Sequence, residues 1–243
     1  MKSKLEFAKI RVTKNFSYYT WKDFHFFPYA WLDKEDLKTL PTPFLLIEID
    51  PKCPIGNDME EKDEVTNIIK LTNTFDELNI DNDLRKDLKR VEKKNEDLRL
   101  VYNEPDALEK SKQWFLNLWK EGKRDMQRRM KLWKENCSTI SAYLGDELIA
   151  VHITMKKDDT IYYNGCWWNR EYKSLSTPTF LLKIDIENAI KNKMKFYDLG
   201  IGDEPYKKKW GVIEKPTKYY AILTKEQAEI FNPPIKKFVE IKN

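Results

Sequence analysis

The sequence predicts a mixed α/β domain in which antiparallel strands are joined through one crossover helix to a further strand. Three observations predict it. Residues 139–144, 148–155 and 160–167 read as successive strands, with turns at Gly145-Asp146 and Lys157-Asp158-Asp159. Phe180, Leu181, Leu182, Ile184, Ile186, Ala189 and Ile190 then form a broad apolar helix face, with Thr177 as cap and Pro178 at the first helical position. Residues 195–199 return as a strand, and a helical crossover normally sets such a strand parallel to its partner.

The remaining elements follow in chain order. Residues 44–49 read as a strand stopped by Asp50-Pro51, residues 57–63 as a polar acidic connection, and residues 65–71 as a second strand. The segment 82–94 is strongly helical, because Leu84, Leu88 and Val91 form one apolar stripe. Arg85, Lys86, Lys89, Arg90, Lys93 and Lys94 cover the rest of it, and residues 98–101 follow as a strand. Pro105 opens a new unit, with Leu108, Trp114, Phe115, Leu118 and Trp119 marking a buried helix over 107–120. Gly122 interrupts that helix, and Met126, Met130 and Trp133 resume the stripe. A final strand is expected over 218–223, while Pro233-Pro234 limits structure in the tail. These signals divide the chain into an N-terminal lobe, 1–104, and a C-terminal domain, 105–243.

Composition narrows the function classes. With 243 residues, 41% of them hydrophobic, and 8 Trp, 12 Tyr and 12 Phe, the chain can bury a substantial core. Lys plus Arg is 44 against 40 Asp plus Glu, a net charge of +4. That balance gives little drive toward nucleic acid, but permits an anionic substrate. No run of eighteen apolar residues occurs, so no spanning helix is expected. Residues 1–14 carry charges throughout and lack the apolar run of a signal peptide. Cys53, Cys137 and Cys166 are widely spaced, and only His25 and His152 supply imidazole, so no metal site is expected. A reduced cytoplasmic protein is the resulting expectation.

The densest chemistry lies in Tyr197-Asp198-Leu199-Gly200-Ile201-Gly202-Asp203-Glu204-Pro205-Tyr206-Lys207-Lys208-Lys209-Trp210-Gly211. Glycines two apart allow a sharp turn directly after a strand, and acidic, basic and aromatic groups then crowd a few positions. This run resembles the C-terminal signature of acyltransferases with a GNAT-like fold that include the CelD-type cellulose-biosynthesis proteins and, more distantly, the FemAB peptidyltransferases. Ser176-Thr177-Pro178-Thr179-Phe180-Leu181-Leu182 resembles the family's start of the crossover helix, with Thr179 where the family often has glycine. Glu147-Leu148-Ile149-Ala150 and the basic helix from Leu84 to Asn95 are similar to further family segments, so the resemblance spans roughly residues 70–222.

The resemblance implies a GNAT-like mixed sheet flanked by helices, with a reduced N-terminal lobe. It also implies transfer of an acyl group, acetyl above all, from a CoA thioester to an amine or hydroxyl. In GNAT-like proteins the start of the crossover helix meets the CoA pyrophosphate. Ser176, Thr177 and Thr179 are therefore cofactor-binding candidates, with Lys207 reaching phosphates and Trp210 closing the loop. A threonine at 179 either crowds the backbone or offers a hydroxyl.

The catalytic candidates are Asp198, Glu204, Tyr206 and His152. A carboxylate serves as base if its pKa is raised or if it works through water. The structural alternative has Asp198 accepting loop amides and Glu204 pairing with a local lysine. Tyr206 either donates a proton to the acyl oxygen or leaving thiolate, or anchors the loop. Strand alternation sets His152 opposite Val151, Ile153 and Met155, toward a cleft, where a neutral imidazole suits a base. The other reading is a histidine that is simply hydrogen-bonded. Trp167 and Trp168 point to opposite faces, with Asn164 and Arg170 as polar groups near the mouth. Cys137 and Cys166 read as core residues.

Two rival functions remain open at this level. The basic helix supports a FemAB-like transferase using aminoacyl-tRNA, although Asp87 and Glu92 are interspersed among its cations and no long helical arm is present. A non-catalytic protein retaining the fold is the other, motivated by Thr179.

Overall fold

The computed structural model describes residues 60–118, 134 and 137–223, together with strand backbone at 7–12, 17–21, 24–27, 44–47 and 239–240. The strands in chain order are β1 (Phe7–Val12), β2 (Ser17–Trp21), β3 (Phe24–Phe27), β4 (Phe44–Ile47) and β5 (Glu60–Lys70). Helix α1 (Asn82–Lys94), β6 (Leu98–Tyr102) and α2 (Ala107–Leu118) follow. Next come β7 (Cys137–Leu144), β8 (Glu147–Lys157), β9 (Thr160–Trp168), α3 (Thr177–Lys191) and β10 (Phe196–Ile201). The short helix α4 (Pro205–Lys208), β11 (Ile213–Leu223) and β12 (Val239–Glu240) complete the order.

The chain divides into two compact units, one of residues 1–65 with 216–243 and one of residues 66–215. In the first, β1, β2 and β3 form an antiparallel meander, β3 runs parallel to β4, and β11 pairs antiparallel with β4 and parallel with β12. The expected boundary at Pro105 falls inside the second unit, which includes α1 and β6. The reason is pairing: β6 joins β7 antiparallel over five residues, Leu98 to Tyr102, and so belongs to the C-terminal sheet.

Within the second unit the sheet order is β5-β10-β9-β8-β7-β6. All neighbours are antiparallel except β9 and β10, which are parallel as the α3 crossover requires. Helices α1 and α3 cover one face. Leu84 and Leu88 of α1 meet Leu182, Ile186 and Ala189 of α3 over Ile69, Tyr197 and Leu199. A second cluster continues beneath α3 with Val91, Ile140, Ala150, Phe180 and Leu181. Helix α2 takes the other face, where Phe115 packs on Trp167 at 5.2 Å between ring centroids. Trp168 turns to the α3 face, and the Arg170 guanidinium lies 4.1 Å above its ring.

Local signals explain most boundaries. Asp81 caps α1 by accepting from the Asp83 and Leu84 amides, and Lys93 and Lys94 complement the dipole in its last turn. Two expectations change. The acidic stretch expected as connection is already strand from Glu60 onward. Thr177 does not cap α3: Ser176 holds the cap position at φ 55° with no side-chain bond, and Thr177 is the first helical residue. The Gly122 break, the Met126–Met130–Trp133 stripe, residues 119–120, Asp50-Pro51 and Pro233-Pro234 lie outside the described residues.

Candidate active site

The site grows from two irregularities in the sheet. Strand β10 pairs with β9 only through Phe196, Tyr197 and Asp198, the last opposite Tyr162. Beyond that point β9 continues to Trp168, and its pairing with β8 slips between Ile153 and Thr154. Gly165 faces Ile153 and Tyr163 faces Thr154, so Asn164 is an extra, bulged residue, with Gly165 beside it at φ 134°. On the other side of β10, Asp198 faces Ile68 and Ile201 faces Thr66. Leu199 and Gly200 thus oppose the single residue Asn67, with Gly200 at φ 76°.

The loop leaving this bulge places three candidates together. Lys207, only 3% exposed, sets its ammonium 2.9 Å from Glu204 Oε2 and donates to Gly200 O at 3.4 Å. Burial acts to raise the Glu204 pKa, but the Lys207 hydrogen bond and charge outweigh it and hold the carboxyl below its ordinary value. Tyr206 is 44% exposed as a residue, while its phenol end sits among neighbours. Burial first, then the Glu204 charge, push its pKa up to about 12. Tyr163 and Cys166 of β9 adjoin the same group, and burial raises both far above their ordinary values. The result is a protonated phenol, an ionised carboxylate and an inert thiol beside the point where β10 leaves its pairing with β9.

Asp198 lies elsewhere. It is buried on the face opposite Tyr197, and its Oδ1 accepts the Gly200 amide at 2.7 Å. Through that bond it braces the bulge.

His152 does not face an open cleft. It is 0% exposed on the α3 face, with its ring 5.1 Å from that of Tyr163. Tyr197 donates its hydroxyl to Asp185 Oδ2 at 2.7 Å and stands 3.1 Å from His152 Nε2. With that hydroxyl committed to Asp185, the Tyr197 oxygen meets His152 Nε2 as an acceptor, while His152 Nδ1 is buried without a hydrogen-bond partner. Both faces of β8 are covered, because α2 and α3 sandwich it, so alternation alone could not reveal burial here.

The start of α3 differs from an open anion cradle. Pro178 lacks an N–H, and the Thr179 and Phe180 amides both bond to Ser176 O, at 3.0 and 3.3 Å. The Thr177 hydroxyl donates to Asn95 Oδ1 at 3.1 Å. Asn95, at the end of α1, also donates to Val91 O and Leu175 O, and Lys94 donates to Ser174 O. The end of α1 thus fastens the loop into α3. Trp210 packs edge-on to Phe75 at 6.5 Å within the core between α1 and α3. It is a buried core residue there, 2% exposed.

Four residues absent from the sequence expectations shape this region: Asn67, Asn95, Tyr163 and Asp185. The signal for Asn67 was present, since an amide interrupts the apolar run from Val65 to Leu71. Among the described residues, no group of three or more His, Cys, Asp and Glu is placed to hold a metal ion. No helix among them is long and apolar enough to cross a membrane.

No curated protein matches the chain. The family model described as an acetyltransferase (GNAT) domain matches residues 81–208, more than half of it. Solved structures share the fold at low identity. The C-terminal domain (DUF2156), from Agrobacterium fabrum, assigned to a lysylphosphatidylglycerol synthetase is 11% identical. It aligns over 86% of this chain and 82% of its own, with a TM-score of 0.61. FemX is 11% identical over 91% and 85%, with a TM-score of 0.56. L-PGS from Bacillus licheniformis is 11% identical over 84% and 79%, with a TM-score of 0.55.

Proposed function

The chain belongs to the family of acetyltransferase (GNAT) domains, and from that premise we propose that it carries an activated acyl group to an amine or hydroxyl acceptor. The observation that carries the reading is that β10 leaves its pairing with β9 after Asp198, with Tyr206 and Glu204 beside Tyr163 of β9. Acyl transfer needs a held donor, a hydrogen-bond donor where negative charge develops, and a route for the acceptor's proton. Tyr206 stays protonated at neutral pH and supplies a proton to the leaving group or the acyl oxygen. Glu204, ionised and paired to Lys207, takes the acceptor's proton through water. Asp198 and His152 support from within, the first under the bulge and the second behind Tyr163. In this reading the protein works in a reduced, cytoplasmic setting, with no metal in the chemistry assigned to these residues.

The donor has two readings. Acyl-CoA, acetyl-CoA above all, follows from the family, with Ser176, Thr177, Thr179 and Lys207 toward its phosphates. The geometry at the start of α3 fits that grip poorly, because Ser176 O already holds two of its amides and Asn95 the Thr177 hydroxyl. Lys207 is likewise turned inward to Glu204. This supports the second reading, an aminoacyl ester donor of the FemAB-like kind.

Calorimetric titration separates the two. Acetyl-CoA and free CoA are titrated into the purified chain beside a short RNA aminoacylated at its 3′ end. Saturable acetyl-CoA binding supports the thioester donor, whereas RNA binding without CoA binding supports the aminoacyl ester. Binding of neither, together with no acyl transfer from either, overturns the proposal in favour of a non-catalytic protein retaining the fold.

A further inference from the structure

Asn67 sits in β5 between Thr66 and two apolar residues, Ile68 and Ile69, and is 0% exposed. A valine or leucine would pack such a position without desolvating an amide. The amide instead meets the bulge opposite it. Its Nδ2 donates to Gly202 O at 2.6 Å and more weakly to Gly200 O at 3.4 Å. Its Oδ1 is buried without a hydrogen-bond partner, so only the donor half of the amide is used. The reversed amide orientation would set Oδ1 against two carbonyl oxygens, which rules it out on electrostatic grounds.

The carbonyls explain the need. Two residues of β10 face one of β5, so Gly200 turns out of the ladder, and Gly202 follows the last paired residue, Ile201; both carbonyls are met by side-chain donors. Asn67 and Lys207 converge on Gly200 O. Gly202, at φ 117°, carries the Glu204 carboxylate close over its Cα, where any side chain would collide with it. The chain of contact therefore runs from Asn67 through Gly200 and Gly202 to Glu204 and Lys207, with Tyr206 on the same turn.

We propose that Asn67 is a positioning residue, fixing the glycine loop so that Tyr206 and the Glu204–Lys207 pair stand in place for acyl transfer. The inference rests on the acyl-transfer reading for its role and on the hydrogen bonds alone for the clamp. Asn67→Leu keeps a branched side chain, though a larger one, and removes the donor, Asn67→Ala removes both, and Gly202→Ala displaces Glu204 while leaving the Asn67 amide itself in place. Amide hydrogen exchange over residues 199–212 is measured in each full-length variant, with kcat and KM for any donor that the wild type turns over.

In Asn67→Leu and Asn67→Ala, loop exchange is expected to rise about tenfold, the scale of one lost hydrogen bond, with β8 and β9 unchanged. The kcat is expected to fall by about tenfold or more at unchanged donor KM, and Gly202→Ala is expected to reproduce that fall. Unchanged loop exchange in the Asn67 variants overturns the clamp. Loosened exchange with unaltered kcat overturns the positioning role. A wild type that transfers no acyl group defeats the functional reading instead, and the exchange result still decides the clamp.

Discussion

Lys207 and Glu204 form an ion pair at 2.9 Å in which the cation is buried and the carboxylate is more than half exposed. The asymmetry follows from the turn between them. Pro205 starts α4, Lys207 points back under Gly200, and Glu204 remains at the rim, where water still reaches it. A buried ammonium needs this partner, and the partner gains a lowered pKa in return.

The first expected outcome concerns pH. The folded pKa of Glu204 is lowered, since Lys207 outweighs the opposing effect of burial. Its stabilisation is therefore fully present above the ordinary carboxylate value, 4.5, and is lost as pH falls through the folded value. Thermal melts from about pH 6 down to about pH 3 should show a steeper loss in wild type than in Glu204→Gln. Parallel curves would remove the pair from the acid sensitivity of the fold.

Tyr206→Phe tests the proton donor. Burial pushes this phenol up to about 12, so it retains its proton throughout the neutral range. The substitution should lower kcat by about a hundredfold while leaving the melting temperature nearly unchanged, because it removes only the hydroxyl and keeps the ring. The wild-type pH–rate profile should show no loss from this phenol until pH approaches about 12. Full activity in the phenylalanine variant would exclude Tyr206 from the chemistry.

Asn95→Ala tests the junction of α1 with α3. The side chain donates to Val91 O and Leu175 O, both at 2.7 Å, and accepts from Thr177. Removing it leaves buried groups unpaired, at a cost of about 2 kcal/mol. A urea unfolding midpoint equal to that of wild type would show that the junction does not depend on this amide.

Gly211→Ala tests the turn after Trp210. Gly211 has φ 67°, and a Cβ there would collide with the backbone carbonyl of Asn79. Backbone cannot yield as a flexible side chain does, so destabilisation of about 2–4 kcal/mol is expected from denaturant unfolding. Gly145→Ala provides the comparison: it shares a positive φ, 60°, but a Cβ there meets nothing within 4 Å. That variant should lose about 1 kcal/mol.

Legibility differed by the range of the interactions involved. The bounds of α1 were readable because Leu84, Leu88 and Val91 repeat at helical spacing and Lys93 and Lys94 suit the last turn. The three antiparallel strands were readable from alternation and turn residues, and the parallel pairing of β9 with β10 from crossover handedness. The grouping of Glu204, Tyr206 and Lys207 was equally local, since all three share one turn. His152 was misplaced because both faces of its strand are covered, and Thr177 because Asn95 competes for its hydroxyl.

By itself, then, the sequence determined most of the helices and strands between residues 65 and 201, the order in which they alternate, and the loop that groups Glu204, Tyr206 and Lys207. Those properties depend on residues a few positions apart. Strands β1, β2, β3 and the start of β5 were not read from it. Only the tertiary structure decided that Asn67 meets Gly200 and Gly202, that Asp185 and Tyr197 enclose His152, and that Asn95 occupies the start of α3. The amide of Asn67 reaches a carbonyl 135 residues away, and strand order and register alone bring them together. Local periodicity records that a residue is buried, whereas its partner depends on how the whole sheet is assembled.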